Sequence, residues 1–400
     1  MKQIVLFVLL ALAPGLNHAA DWLQFRGPLG NGVSMETNLP ATLEAGKAIA
    51  WQTTLTGRGL SSPVVVGDRV FVTCSSGPKQ EILHVLCFNA GDGSLRWERR
   101  FWATGRTMCQ EKTCVAAPTP VSDGRRIVAT FSCNDVVCLD LDGNLLWLRG
   151  LTRDYPNASN SLGMSSSPVV ADGILVVQVE NDSESFAAGL DVLTGTNRWK
   201  IERPKRANWT SPVLLRDAGG RSLVALQSSG GVQVVEPVSG RVAWSYPEGA
   251  STIPSSATDG RVIYAPSFGI TALQAGEEGK AKQLWRSSLL RPGTSSPLVC
   301  GTNLFVVNDA GVLTCGDTDA GQRRWQLRLK GPFSSSPVGN AQRLYLANEK
   351  GVLFVVDPNA PEGSVVAELN LGETILATPA ISGGALYLRS DRHLWKLAGP

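Results

Sequence analysis

The sequence has little histidine, no bias of charge and almost no long apolar run, and each shortage narrows what it can encode. Its 400 residues include three histidines, and 37 basic side chains are nearly balanced by 34 acidic ones. Because no long basic run occurs, neither nucleic acid nor an anionic membrane surface is indicated as a partner. With 18% charged and 43% apolar residues, the composition is that of a globular protein with a large core.

The common signatures of catalytic and metal sites are also missing. No CxxC pair occurs, and no Gly-rich phosphate loop joins a strand to a helix. His84 and His393, which follow the N-terminal leader region, both lie in predicted strands. We therefore expect neither a zinc site nor a Ser-His-Asp or Cys-His catalytic arrangement. Almost no segment has helical periodicity, which indicates an all-β protein.

The N-terminus has the pattern of a secretory signal peptide over residues 1–20. Lys2 precedes an apolar run at residues 4–13 that is too short to span a bilayer as a helix. Ala19 and Ala20 supply small residues for cleavage, and no later stretch is apolar enough to cross a membrane. We therefore predict an exported protein, periplasmic or secreted.

A short Ser-Ser-Pro-like segment occurs eight times along the chain. It is SSPVVVGDRVFVT at residues 61–73, and the related segments centre on Pro120, Pro168, Pro212, Pro254, Pro297, Pro337 and Pro379. Self-similarity at steps of 40 to 57 residues indicates a repeat architecture. Small side chains and a proline suit the crowded start of an inner strand, so we interpret the segment as structural rather than as a serine-based site.

Each Ser-Ser-Pro segment opens one four-stranded unit. It leads through a polar turn into a β-branched second strand, and a third strand then enters a motif such as GLDVLTGTNRW at residues 189–199. The Thr-Gly pair of that motif supplies a positive-φ turn into the fourth strand. Eight such units predict an all-β, eight-bladed β-propeller of four-stranded antiparallel blades.

The second motif ends in a tryptophan on the outer strand, where its flat ring can pack against the next blade. The predicted structural tryptophans are Trp51, Trp97, Trp147, Trp199, Trp244, Trp285 and Trp325. The blade that begins near Pro337 has SVVAEL in place of this tryptophan. Its contact with the next blade is therefore expected to be the weakest in the ring.

The two ends of the repeat array complement each other. The last copy stops after three strands, whereas AIAWQTTL, around Trp51, precedes the first copy without a blade of its own. Pairing this strand with the last blade would close the ring and remove its exposed edges. The predicted organisation is a signal peptide at 1–20, an N-terminal extension at 21–50 and a monomeric propeller at 51–400.

Export permits disulfides, and the chain has eight cysteines. One repeat position, which elsewhere holds Gly or Val, is cysteine at Cys87, Cys138 and Cys315. Such a position indicates a small buried residue. Cys109 and Cys114, in the loop TMCQEKTC, form the predicted disulfide, with Cys133 and Cys138 across a hairpin as the alternative.

The spacing small-x-Asp-x-x-Thr-Gly-x-x-x-Trp, matched at residues 189–199, resembles the repeat of pyrroloquinoline-quinone-type (PQQ-like) eight-bladed propellers. The opening DWLQFRGPLGNGVS, residues 21–34, resembles the start of secreted bacterial PQQ-like proteins similar to the outer-membrane assembly factor BamB. The resemblance implies an exported propeller. Two features of these relatives are missing. Quinoprotein alcohol dehydrogenases have two adjacent cysteines, whereas no two cysteines are adjacent here. BamB-type lipoproteins have a cysteine at the cleavage site, whereas no cysteine precedes Cys74 here. A lipoprotein anchored at a cleavage-site cysteine is therefore not expected.

Most of the irregular sequence lies in loops that enter the Ser-Ser-Pro strands or join second to third strands, and these loops share one face. Binding residues concentrate in loops on a rigid scaffold, so this face is the predicted site. The candidate binding residues are Arg106, Lys112, Asp154, Tyr155, Asn157, Asn160, Asn208 and Trp209. Tyr155 and Trp209 would stack on a flat ligand or a peptide, or else plug the channel mouth. The oxygen atoms of Glu180, Asn181 and Asp182 suit calcium, with a solvated turn as the alternative.

Together these observations favour a non-catalytic exported propeller that binds an envelope protein or peptide, as the resemblance to BamB implies. The alternative is a quinoprotein-type oxidoreductase or cofactor-binding protein, in which loop carboxylates hold calcium beside PQQ. A carbohydrate-binding or carbohydrate-degrading module is a third interpretation, although no pair of carboxylates points to it.

Overall fold

A computed structural model gives the fold, and the structure describes residues 20–44, 46–158 and 162–399. This part of the chain forms eight four-stranded antiparallel sheets, which confirms the eight-bladed propeller. Its single helix, α1 (Leu151–Asp154), is one turn long. No helix in the described residues is long and apolar enough to cross a membrane. The signal-peptide prediction, apart from Ala20, and the candidate Asn160 lie outside the described residues.

The blades are numbered in chain order. Blades 1 to 4 consist of β2 (Val64–Val66), β3 (Arg69–Ser76), β4 (Ile82–Asn89) and β5 (Leu95–Trp102); β6 (Val121–Ser122), β7 (Arg126–Thr130), β8 (Asp135–Asp140) and β9 (Leu145–Gly150); β10 (Val169–Ala171), β11 (Ile174–Val179), β12 (Phe186–Asp191) and β13 (Asn197–Glu202); and β14 (Val213–Arg216), β15 (Ser222–Ser228), β16 (Gly231–Val235) and β17 (Val242–Tyr246).

Blades 5 to 8 consist of β18 (Ala257–Thr258), β19 (Ile263–Ser267), β20 (Gly269–Ala275) and β21 (Ala281–Ser287); β22 (Leu298–Cys300), β23 (Asn303–Val307), β24 (Val312–Asp317) and β25 (Arg323–Arg328); β26 (Val338–Gly339), β27 (Leu344–Ala347), β28 (Val352–Asp357) and β29 (Ser364–Asn370); and β30 (Ala380–Ser382), β31 (Ala385–Arg389), β32 (His393–Ala398) and β1 (Ile49–Thr54). First strands of neighbouring blades contact one another, so they surround the axis.

The core lies between blades rather than at one centre. Second and third strands are buried on both faces, as in β11, whereas outer strands such as β5 are largely exposed. This follows from sandwiching each twisted sheet between two others, which leaves only its outer edge in water. The β-branched and aromatic runs of the sequence supply this double-sided burial.

The predicted tryptophans join successive blades. Trp51 of blade 8 donates from Nε1 to Ala90 O of blade 1 at 3.1 Å, and a Cβ on Gly93 would lie 2.6 Å from its ring. The same contact recurs for Trp97 with Gly143, Trp147 with Gly195, Trp199 with Gly240, Trp285 with Gly321 and Trp325 with Gly363. The turn glycine therefore serves twice, since it takes a positive φ and leaves room for the ring.

The ring closes between blades 8 and 1, as the sequence predicts. β1 pairs antiparallel with β32, with Gln52 opposite Trp395 and Thr54 opposite His393. The buried Arg389 of β31 also reaches into blade 1, where its guanidinium donates to Thr73 O at 2.7 Å. A strand from the N-terminus and a side chain from the C-terminal blade thus stabilise the same junction.

The junction between blades 7 and 8 is built differently because Ala367 occupies the position of the motif tryptophan. Leu39 and Leu43 from the N-terminal extension belong to the apolar cluster at this junction. Tyr345 of β27 donates its hydroxyl to Pro40 O at 2.7 Å. The extension therefore packs where the tryptophan is missing.

The extension crosses one face of the ring, from blade 1 past the axis to blade 8. This turn face carries the short turns between first and second and between third and fourth strands, and the opposite face is called the loop face. Trp22 and Val65 exchange two backbone hydrogen bonds, of 2.9 and 3.0 Å. Further along, Val33 bridges to Gly339, and Glu36 accepts the backbone N–H of Gly384 at 2.6 Å. The turn face of the axis is thereby covered.

Candidate functional site

A ring of hydroxyl groups, one from each blade, lines the axis. Its members are Ser62, Thr119, Ser167, Ser211, Ser255, Ser296, Ser336 and Thr378. Seven of them directly precede the repeat proline. In blade 5, Ser256 stands at that proline position, so the alignment on Pro254 predicted from the sequence is wrong by two residues. The repeated serine is therefore both structural and directed at the axis.

Backbone hydrogen bonds connect these hydroxyls into a belt. In seven steps, from Ser62 to Thr378, the backbone N–H of one blade donates to the hydroxyl oxygen of the next at 2.9 to 3.0 Å. This satisfies N–H groups that precede the sheet ladder. Seven of the eight oxygens, all but that of Ser62, accept one such bond, yet no bond donated by the eight hydroxyls is found within the described residues. Their O–H groups thus remain donors toward the axis.

The belt encloses a well of about 350 Å³. Its walls between the hydroxyls are apolar and include Leu60, Ile253 and Leu376, and Phe25 of the extension projects into it from the turn face. A well of this size lies at the lower end of the range for ligand sites, and a mostly apolar lining with a few directed polar groups is typical of them.

A buried arginine lies directly below the belt, next to the residues that follow Ser255 and Ser296. Arg26 donates from Nη1 to Ser256 O at 3.0 Å and from Nη2 to Asn31 O and Pro297 O. Its Nε has no hydrogen-bond partner in the described part of the chain, and no carboxylate there pairs with it. Burial lowers the pKa of this guanidinium, which nevertheless stays protonated at neutral pH. A positive charge that no side chain of the described residues neutralises therefore lies just below the belt.

Two of the sequence-predicted residues lie at the mouth of the well on the loop face. Lys112, from the loop after blade 1, places Nζ 3.0 Å from Glu349 Oε2 of blade 7. Trp209 is half-buried, and its Nε1 donates to Gly163 O at 2.7 Å. The mouth is thus flanked by a cation with its counter-ion and by an indole ring.

The other predicted binding residues do not converge there. Tyr155 packs against Phe186 of blade 3 in a tilted arrangement, with 4.6 Å between ring centroids, and its hydroxyl accepts from Asn197 Nδ2. Asp154 pairs with Arg149, and the Asn157 carbonyl accepts from Ser183. Asn208 is buried, and Arg106 is exposed. Most of these side chains are used between or along blades.

The predicted calcium ligands are engaged within the protein. Glu180 is buried, and its two carboxylate oxygens accept from Arg203 Nε at 2.6 Å and Asn208 Nδ2 at 2.9 Å. Burial raises the pKa of Glu180, and Arg203 opposes that rise. Asn181 organises its own turn through Glu184 O, and Asp182 accepts from Ala207 N. Within the described residues no group of three or more His, Cys, Asp or Glu side chains is placed to hold a metal ion.

The structure does not form the predicted disulfides. All eight thiols are free. Cys114 is fully buried, and burial raises its pKa to about 12, whereas Cys109 is half-buried and lies 3.8 Å from Ser132 Oγ. Cys133 contacts Asp135 at 3.0 Å, and Cys138 contacts Val192 O in the next blade. The thiols of each predicted pair therefore have different neighbours.

One histidine does lie between a serine and a carboxylate, in a hydrogen-bonded network between strands of blade 1. His84 Nε2 lies 2.7 Å from Ser76 Oγ, and Nδ1 lies 2.6 Å from Glu98 Oε1. Arg100 binds both oxygens of Glu98 and lowers the pKa of that carboxyl. The three residues lie on one face of β3, β4 and β5, where this network satisfies a buried imidazole. None of them lines the axial well.

Sequence reasoning missed Phe25, Arg26 and the hydroxyl belt. The belt had a signal in the repeated serine or threonine itself, because eight copies around one axis must meet. Arg26 and Phe25 had no comparable signal, since only the path of the extension across the turn face brings them to the axis.

The class of protein follows from these features: an eight-bladed propeller built from PQQ-like repeats around an axial well. The chain matches the family model described as "Outer membrane protein assembly factor BamB" over residues 33–163, 83–265 and 269–360, more than half of its length. The protein belongs to this family.

Individual relatives are distant. The outer membrane protein assembly factor BamB of Yersinia pestis is 26% identical over 189 residues, which are 46% of this chain and 44% of that protein. The match thus spans under half of the curated relative. The crystal structure of BamB from Moraxella catarrhalis superposes with a TM-score of 0.60 at 13% identity, over 87% of this chain and 97% of that one.

The same fold occurs in enzymes. The quinohemoprotein alcohol dehydrogenase from Comamonas testosteroni has a TM-score of 0.71 at 13% identity, over 95% of this chain and 81% of that one. At this identity the likeness shows the architecture alone, so function has to be argued from the site.

Proposed function

We propose that this protein is an exported, non-catalytic propeller that binds an envelope protein or peptide at its loop face and serves outer-membrane protein assembly. The observation that carries the proposal is the difference between the two ends of the axis. The extension covers the turn face, while the well opens on the loop face between Lys112 and Trp209. Membership of the BamB family supplies the biological setting.

Export rests on the signal-peptide pattern of residues 1–20, and the first cysteine, Cys74, lies far beyond it. We therefore propose an exported protein, periplasmic or secreted. The net charge of +3 does not favour nucleic acid as a partner.

The quinoprotein alternative requires carboxylates beside the axis, to hold calcium and to take a proton from the substrate. The described lining of the well contains no Asp, Glu or His side chain, and Glu180 is bonded to Arg203 instead. The residues present therefore do not fit a calcium–PQQ site, and we derive no redox step.

Site-specific photo-crosslinking in the native host tests the proposal. One benzophenone residue would replace Ile253 at the mouth of the well, and another would replace Val238 on a turn-face turn. The two side chains are similarly exposed, at 49% and 58%. The proposal predicts a discrete adduct with an envelope protein from position 253 and none from position 238. Adducts from position 238 alone, or equal adducts from both, would overturn it.

A further inference from the structure

We propose that the axial well binds a carboxylate, and that this carboxylate is the C-terminus of a polypeptide chain. This inference rests on the proposed function, because it names the chemical group that the loop face recognises.

The donors in the well all favour an anion. Eight hydroxyl groups face the axis, and seven of them have accepted a backbone N–H, which leaves their O–H groups to donate. A carboxylate has only acceptor sites, about four of them, so it can use several of these donors together. The described lining holds no Asp or Glu that would repel it.

Arg26 adds the charge that selects an anion over a neutral acceptor. Its guanidinium bonds to the carbonyls of Ser256 and Pro297, and these residues directly follow Ser255 and Ser296 of the belt. The cation therefore lies one residue below the hydroxyls. A buried charge without a counter-ion is costly, and an anion in the well would offset that cost.

The shape of the well selects a chain end. The extension covers the turn-face end of the axis and its Phe25 lines the well, so a polypeptide must enter from the loop face by its terminus. An N-terminal ammonium would face donors and a guanidinium, whereas a C-terminal carboxylate would face its natural partners. The apolar patches of Leu60, Ile253 and Leu376 suit an aliphatic last residue.

A matched pair of peptides tests the inference. N-acetyl-Ala-Ala-Leu with a free C-terminal acid and the same peptide with a C-terminal amide would be titrated into the purified protein, with binding measured by calorimetry. We expect the acid to bind at least tenfold more tightly than the amide. Equal affinities, or no binding of the acid at millimolar concentration, would overturn the carboxylate site.

A small carboxylic acid distinguishes a site for any carboxylate from a site for the C-terminus of a polypeptide. We expect 4-methylpentanoate, which carries the leucine side chain but no peptide, to bind at least tenfold more weakly than the peptide acid, because it lacks the chain that contacts Trp209 and the mouth. If it binds as tightly as the peptide acid, the chain-end part of the inference fails.

Two neighbouring serines provide a variant and its control. Ser296 faces the well, whereas Ser295 is buried beside it and donates to Ser335 O at 2.7 Å. We expect Ser296→Ala to weaken binding of the peptide acid about three- to tenfold and Ser295→Ala to leave it unchanged. Glu349→Gln removes the carboxylate at the mouth and should tighten binding. Indistinguishable serine variants would contradict the site even if Arg26 variants failed to fold.

These outcomes separate the inference from the proposed function. A crosslink at position 253 without a preference for the peptide acid would overturn only the carboxylate site. A preference for the acid without any envelope adduct would overturn the scaffold and leave a carboxylate-binding well.

Discussion

Two buried arginines of this propeller have opposite surroundings. Arg203, at the end of β13, pairs with Glu180 at 2.6 Å and also donates to Leu226 O. The two side chains are 2% and 1% exposed. Arg26, below the hydroxyl belt, is as deeply buried, but its guanidinium meets only backbone carbonyls.

The difference indicates what each charge is for. A buried ion pair is neutral within the fold, and it joins blade 3 to blade 4 without any ligand. A buried cation beside eight hydroxyl donors is neutralised only when an anion arrives. The loop face thus contains a charge used for structure, and the axis contains one available for binding.

The largest expected effect is the loss of stability when the ion pair between Glu180 and Arg203 is broken. Arg203→Met leaves Glu180 as a buried charge without a partner, so it should lower the free energy of unfolding by ~3–5 kcal/mol. The double variant Glu180→Gln/Arg203→Met should recover part of this loss. Urea denaturation measures both, and a loss below ~1 kcal/mol for the single variant would show that the pair is solvated.

Arg26→Met should cost less, about 1–2 kcal/mol, because the lost carbonyl hydrogen bonds are partly offset by removal of an uncompensated charge. The effect of this substitution that tests the site is the loss of stabilisation by the peptide acid. The peptide acid should raise the thermal midpoint of the wild-type protein and leave that of Arg26→Met unchanged. Equal rises in both proteins would remove Arg26 from the site.

Trp209→Ala should change stability by only about 1 kcal/mol, since the ring is half-buried at the mouth of the well. Binding of the peptide acid should nevertheless fall several-fold, because the indole flanks the entry. Calorimetry and urea denaturation on the same sample separate the two effects. A large loss of stability with unchanged affinity would make Trp209 a packing residue.

The smallest expected effect is that of calcium. Because both oxygens of Glu180 are already bonded, millimolar calcium should stabilise the protein by less than ~0.3 kcal/mol over an EDTA control. A clear rise in the thermal midpoint would mean that Glu180 leaves Arg203 for the ion, and it would support the calcium site predicted from the sequence.

The fold was predictable because it repeats. Eight copies of the inner strand and the Trp–Gly contact between blades fix the ring, and the unpaired strand around Trp51 supplies its closure. These features depend on local patterns and on one period. The same reasoning selected Lys112 and Trp209 from long loops on one face, and the structure places both at the mouth of the well.

The rest of the site could not be predicted, because it depends on side-chain contacts that the repeat of the sequence does not encode. Glu180 has the carboxylate oxygens of a calcium ligand, but in the structure they bind Arg203. Because Arg203 follows a different strand, only the folded chain brings the two side chains together. Arg26 lies in a segment outside the repeats, whose route across the turn face decides that it reaches the axis. Tyr155 has the chemistry of a binding residue but packs on Phe186.

A crystal structure of the protein with N-acetyl-Ala-Ala-Leu acid would show where the carboxylate binds. We expect the peptide carboxylate in the axial well, within hydrogen-bonding distance of the Ser296 and Ser336 hydroxyls, with the chain leaving past Trp209. A peptide bound on the turn face, or one lying across the loop face with its carboxylate in solvent, would contradict it.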